Sequence, residues 1–133
     1  MTEAQCEEFA KRYTEAWCSQ DPARVAAFFS PSGSLQINNG VASVGRAAIT
    51  EAARGFMTAF PDLRVVMDEL LVHGDRIKYR WTLSGTNTGP GGAGHQVRIS
   101  GFEFWRIAAD GLIASSQGQF NAAEYRRQLE QGV

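Results

Sequence analysis

Glu103 is the residue of this chain best placed for acid–base chemistry. It stands in Phe102-Glu103-Phe104-Trp105, in the middle of an apolar stretch read as a strand. Burial disfavours the charged form of a carboxyl group, so an apolar cavity raises its pKa and lets it act as acid or base near neutrality. A second reading stays open, a structural cross-strand ion pair with Arg98, Arg80 or Lys78. Tyr13 lies between Phe9 and Trp17 on one stripe. Packing accounts for its ring, and a hydroxyl at a cavity edge could donate to a substrate oxygen. Gln117, Gln119 and Asn121 share one parity, as do Gly101, Glu103 and Trp105 on the strand before. If both faces turn inward, they make an aromatic cavity with amides for a neutral ligand. The alternative turns the glutamines to solvent or to a dimer partner, and Asn121 also reads as a helix cap.

Other chemistries find little support. His73 falls at a hairpin tip and His95 ends a Gly-rich loop, Gly89 to Gly94. Both read as exposed, and no cluster of His and carboxylates has metal-ligand spacing, so no metal and no other cofactor is expected. The Gly-rich loop lacks a Gly-Lys-Ser/Thr ending and leads into a strand, so it is not a phosphate loop but reads as a mobile rim. Cys6 and Cys18 fall in one helix, ~18 Å apart, too far to bridge. The formal net charge of -1 offers no basic excess for nucleic acid. No apolar run approaches the length of a membrane span, and Met1 to Glu8 lacks the pattern of a signal peptide, so a cytoplasmic location is expected.

The elements that must position these residues are readable from periodicity. The 133 residues suit one domain, 1–133. Phe9, Tyr13 and Trp17, with Cys6, Ala10 and Ala16, form the stripe of an amphipathic helix. Asp21-Pro22 starts a short helix with Val25, Phe28 and Phe29 as its buried face. Ser34 to Asn38 reads as a short strand closed by Asn39-Gly40. A third helix runs from Arg46 to Ala59, with Ile49, Ala53 and Phe56 on its stripe, and stops at Phe60-Pro61. Strands follow over Leu63–Val72, Arg76–Gly85, Gln96–Ile107 and Leu112–Phe120. In the second of these Arg76, Lys78 and Arg80 alternate with Ile77, Tyr79 and Trp81, which predicts one wet face. Asn121 and Glu124 are spaced as a capping box for a closing helix. Helices first and an antiparallel meander after make an α+β domain.

The run Ala59-Phe60-Pro61-Asp62-Leu63, then Gly74-Asp75-Arg76-Ile77, Arg80-Trp81 and Gly85-Thr86-Asn87-Thr88-Gly89, with Arg106 and Asp110-Gly111, resembles the SnoaL-like polyketide cyclases. Those belong to the nuclear transport factor 2-like superfamily, and the resemblance spans nearly the whole chain. It implies a cone-shaped, cystatin-like fold in which a curved antiparallel sheet wraps the N-terminal helices around an apolar cavity. It further implies chemistry on small apolar molecules, though one fold hosts many functions. The cyclases' general acid/base aspartate matches Asn121, which cannot exchange a proton near neutrality. Related steroid isomerases carry an acid at the place of Glu103 and a tyrosine at that of Tyr13. Their base should lie near Ile37 or Asn38, where no carboxylate stands.

The leading expectation is a small-molecule pocket protein performing cyclisation, isomerisation or dehydration on an apolar oxygenated compound. Glu103 is the acid/base, Tyr13 and Asn121 are hydrogen-bond partners, and Trp17, Trp81 and Trp105 are walls; Asn38, Phe56, Gln117 and Gln119 complete the substrate site. The rival is a non-catalytic ligand-binding or interaction domain of the same fold. Phe102 and Phe104 oppose Trp105 and Ile107 in parity, so one apolar face must look away from the cavity. A homodimer through that face is expected, unless the closing helix covers it.

Overall fold

The computed structural model describes residues 1–133. The chain runs α1 (Glu3–Trp17), α2 (Pro22–Ala26), β1 (Phe29–Ile37), β2 (Ser43–Val44), α3 (Arg46–Ala59), β3 (Arg64–His73), β4 (Arg76–Thr86), β5 (Gln96–Ile107), β6 (Ile113–Phe120) and α4 (Ala122–Gln131). The strands form one curved, unclosed sheet in the order β2-β1-β6-β5-β4-β3. No helix is long and apolar enough to cross a membrane.

Side-chain caps start three of the four helices, and α3, which follows Gly45, has none. Thr2 accepts from the Gln5 amide while the Gln5 side chain accepts from the Thr2 amide, a complete capping box for α1. Asp21 caps α2 with Pro22 in the first turn. Asn121 accepts from the Glu124 amide at the start of α4. The reciprocal half expected there is not made, because the Glu124 carboxylate binds Arg127 and Gln128 instead. Those bonds, Arg127 first, hold its pKa down to about 2.

The sheet differs from a pure antiparallel meander in one pairing. β1 runs parallel to β6, with Leu35 opposite Ser116 and Ile37 opposite Gly118. The chain passes through α3 and four strands before returning beside β1, so local pattern does not reveal that direction. β1 also begins earlier than expected: Phe29 is its first residue rather than the last of the α2 face. Register shifts break the ladder in β3 between Met67 and Glu69, and between β5 and β6 at Arg106/Ile107. Such bulges bend a strand and increase its twist.

Helices pack into the concave side. The α1 stripe of Cys6, Phe9, Ala10, Tyr13, Ala16 and Trp17 is buried there with the inward residues of β4 and β5. The expected alternation of β4 is present: Ile77, Tyr79, Trp81 and Leu83 are buried, while Arg76 and Arg80 are exposed. The Gly-rich loop is pinned at one end, where Gly89 is buried, while Pro90 to Gly94 are exposed. The Gly89 amide donates to Ala59, and a Cβ on Gly89 would lie 2.0 Å from the Thr58 carbonyl oxygen. Only glycine lets the loop approach α3 that closely.

Candidate functional site

The sheet register sets the site. On the concave face Tyr79 of β4 stands opposite Glu103 of β5, which stands opposite Gly118 of β6; one step along, Trp105 faces Ser116. Tyr13 reaches the same point from α1. Three neutral donors therefore converge on one oxygen: Tyr13 Oη at 2.9 Å, Ser116 Oγ at 2.7 Å and Trp105 Nε1 at 3.1 Å, all to Glu103 Oε1. Glu103 is 7% exposed, Ser116 1% and Tyr13 0%. The ion pair with Arg98, Arg80 or Lys78 is not formed. Those three residues lie on the convex face, and Arg80 meets Glu69 instead.

Burial pushes the Glu103 pKa above its ordinary value of 4.5, and the bonds from Ser116, Trp105 and Tyr13 only partly oppose that shift. Burial, reinforced by the neighbouring carboxyl, also drives the Tyr13 phenol well up, so it stays a donor. A shell of rings fixes the arrangement. Tyr79 stacks on Trp105 at 4.8 Å, and Tyr13 meets Trp105 edge-on at 5.0 Å. The Tyr79 hydroxyl lies 2.5 Å from Thr14 Oγ1, which itself donates to the Ala10 carbonyl. Tyr79 is thus the donor of that pair, and its hydroxyl is occupied.

Beside Glu103 opens a cavity of about 60 Å³, room for a few water molecules. Its walls are Trp17, Leu35, Ile37, Phe56, Val65, Tyr79, Trp81, Leu83, Ile99, Gly118, Phe120 and Tyr125, so the lining is almost wholly apolar. Glu103 is its one carboxyl group, and Oε2 has no protein partner. That geometry allows a proton to pass between Oε2 and a guest while Oε1 is held from behind.

Of the residues singled out from sequence, Glu103, Trp17, Phe56 and Trp81 line this cavity. Tyr13 and Trp105 lie behind Glu103 and position it. Asn38 does not line the cavity. It adopts a left-handed conformation at the end of β1, its side chain accepting from the Phe120 amide. Asn121 is exposed and occupied as a helix cap. Gln117 and Gln119 face outward, a correction with a specific cause. Ile113 is buried opposite Ile107, but the register shift inserts an extra residue, so Ser116, Gly118 and Phe120 take the inward positions. Sequence reading passed over Ser116, Tyr79, Gly118, Phe120 and Tyr125. Pairing outward from an inward Glu103, with one bulge allowed, would have placed the three on β6.

An open, curved sheet closed by helices over an apolar cavity defines the ketosteroid isomerase-like, nuclear transport factor 2-like class. The chain belongs to the SnoaL-like polyketide cyclase family, whose model matches residues 7–129. No curated protein matches it in sequence. Solved structures share its fold. A protein from Catenulispora acidiphila DSM 44928 in complex with trimethylamine is 16% identical, with 92% of each chain covered and a TM-score of 0.82. A protein from Jannaschia sp. CCS1 assigned to the SnoaL-like polyketide cyclases is 20% identical, covering 98% of this chain and 95% of that one, with a TM-score of 0.84. SalBIII, an epoxide hydrolase/cyclase-like enzyme in pyran ring formation in the polyether salinomycin, is 18% identical, covering 93% and 97%, with a TM-score of 0.78.

Proposed function

We propose that this protein is an acid–base enzyme acting on a neutral, apolar, oxygenated small molecule, with Glu103 as the group that exchanges the proton. The observation that carries this reading is a buried carboxyl with no cationic partner, bound at one oxygen by three neutral donors, in the wall of an apolar cavity. The proposed cycle starts from the protonated carboxyl, the form that burial favours. Oε2 gives its proton to a substrate oxygen as negative charge develops there. The carboxylate left behind takes a proton from a substrate C–H or O–H, so charge in the cavity is conserved over the cycle. Tyr13, Ser116 and Trp105 stabilise the transient anion without supplying a countercharge. The cyclase-like character of SalBIII supports this class, and the choice between cyclisation, isomerisation and dehydration is set by the guest.

Proton exchange into aryl ketones tests the reading without a known substrate. In D₂O the protein should accelerate deuterium uptake at the carbon beside the carbonyl of acetophenone or a larger homologue. Glu103→Gln should lower that rate by roughly 10²–10⁴-fold, the usual worth of a positioned acid or base. Equal rates for the two proteins would remove Glu103 from the chemistry. The narrowness of the cavity favours a second reading, a binding domain without turnover. Ligand bound in the cavity with no exchange would select it.

The convex face supports a further element of the proposal, a two-fold homodimer. Phe102 and Phe104 pack against each other there under Lys78, Phe104 is 49% exposed, and α4 packs at the cavity side rather than over them.

A further inference from the structure

Four residues form one row across the concave side of the sheet: Tyr79 of β4, Glu103 of β5, Gly118 of β6 and Ile37 of β1. All four line the cavity, and Gly118 alone brings no side chain to it. A glycine inside a strand weakens it, because it loses more freedom on folding and packs nothing. Such a residue calls for a reason: a positive φ, a bulge, a close approach of other protein atoms, or a close approach of a ligand.

The first three reasons fail at Gly118. It is not among the glycines of positive φ. The register shifts in the two pairings of β6 fall elsewhere, at Phe29/Ser34 and Arg106/Ile107. An added Cβ would meet the Gln36 carbonyl oxygen at 3.5 Å, Glu103 Cγ at 3.8 Å and the Phe102 carbonyl oxygen at 4.0 Å, all ordinary van der Waals contacts. Gly101 is the contrast. A Cβ there would meet the Gln119 carbonyl oxygen at 2.3 Å, so packing alone requires glycine. At Gly118 the fold has room for a side chain and does without one, beside the carboxyl of Glu103. Neighbouring strands are roughly 4.8 Å apart, so the Glu103 and Ile37 backbones stand about 10 Å from each other across the gap. That leaves room for the edge of one flat ring between their side chains.

We propose that Gly118 is a specificity-determining residue: its missing side chain is the slot that admits the flat edge of a guest to Glu103 and limits the bulk of the guest there. This rests on the reading of Glu103 given above and adds the residue that sets guest size. A side chain at this position would fill the slot while leaving the carboxyl and its three donors in place.

Gly118→Ala and Gly118→Val are compared with wild type in thermal unfolding, in acetophenone binding by saturation-transfer NMR, and in deuterium uptake into acetophenone and acetone. Gly118→Ala should unfold at a temperature no lower than wild type, since replacing a strand glycine narrows the freedom of the unfolded chain. It should weaken acetophenone binding and lower the kcat/KM of its exchange by roughly 10–200-fold, the usual effect of one carbon too many in a pocket. Gly118→Val should lose more. Acetone, too small to need the slot, should exchange nearly as in wild type. Unfolding of Gly118→Ala well below wild type would show that packing requires the glycine, and would overturn the proposal. So would equal acetophenone binding in wild type and Gly118→Ala, or an equal loss of acetone exchange; if Glu103→Gln still abolishes exchange, the role of Glu103 stands. Binding lost in Gly118→Ala with no exchange in wild type would keep the slot and remove Glu103 from the chemistry. No acetophenone binding to wild type would overturn both.

Discussion

Glu103 Oε1 accepts from a phenol, a hydroxyl and an indole, none of which carries charge. Such a shell steadies a carboxylate without committing the group to it, whereas an arginine partner would have fixed it ionised. The consequence for stability can be worked out in sign. The folded pKa lies above the ordinary 4.5, so the folded state binds the extra proton. The contribution is full below pH 4.5 and is lost as pH rises through the folded pKa. Glu103→Gln, always neutral, should flatten the fall of stability with pH across that window in urea titrations. An unchanged slope would mean that the carboxyl titrates as it does in the unfolded chain. The acid itself was legible in the sequence as a carboxylate among apolar neighbours. Ser116 was not, because its role depends on a register that no local pattern encodes.

At the scale of elements, the cavity depends on two glycines that look alike in sequence and differ in space. On β5, a Cβ at Gly101 would lie 2.3 Å from the Gln119 carbonyl oxygen and 2.7 Å from Trp81. On β6, a Cβ at Gly118 would find nothing closer than 3.5 Å. Gly101→Ala should therefore destabilise by about 1–3 kcal/mol, the usual cost of overpacking. Gly118→Ala should fold with a stability change below about 1 kcal/mol. Thermal or urea unfolding of the pair checks this, and equal effects would contradict the packing described. Helices and strands were largely readable: α3 and β5 occupy the residues expected from their stripe and alternation. The facing of β6 was not. A single extra residue at its start reverses every later side chain, and Ala114-Ser115 carries no turn or glycine signal to mark it.

The whole molecule presents two contrasting faces. The concave one is sealed by helices, while the convex one carries Phe102 and Phe104 among Lys78, Arg80, Gln117 and Gln119. If two convex faces pair about a two-fold axis, light scattering at micromolar concentration should report twice the 14.5 kDa chain. Phe104→Glu should return it to the single-chain mass. A species of 14.5 kDa at every concentration would remove the dimer. Patterning made the class of fold plain, since helices precede a run of alternating strands. The parallel join of β1 to β6 was invisible, because it is made between strands far apart in sequence.

The central claim is that Glu103 is a buried acid of raised pKa facing an apolar cavity. Its side-chain carboxyl can be titrated directly by ¹³C NMR, with Glu103→Gln identifying the signal and Ser116→Ala as a companion. The account predicts a midpoint clearly above 4.5, moving further up in Ser116→Ala as one donor to the carboxylate is lost. A midpoint at or below 4.5 would show that burial does not favour the protonated form, and would contradict the account.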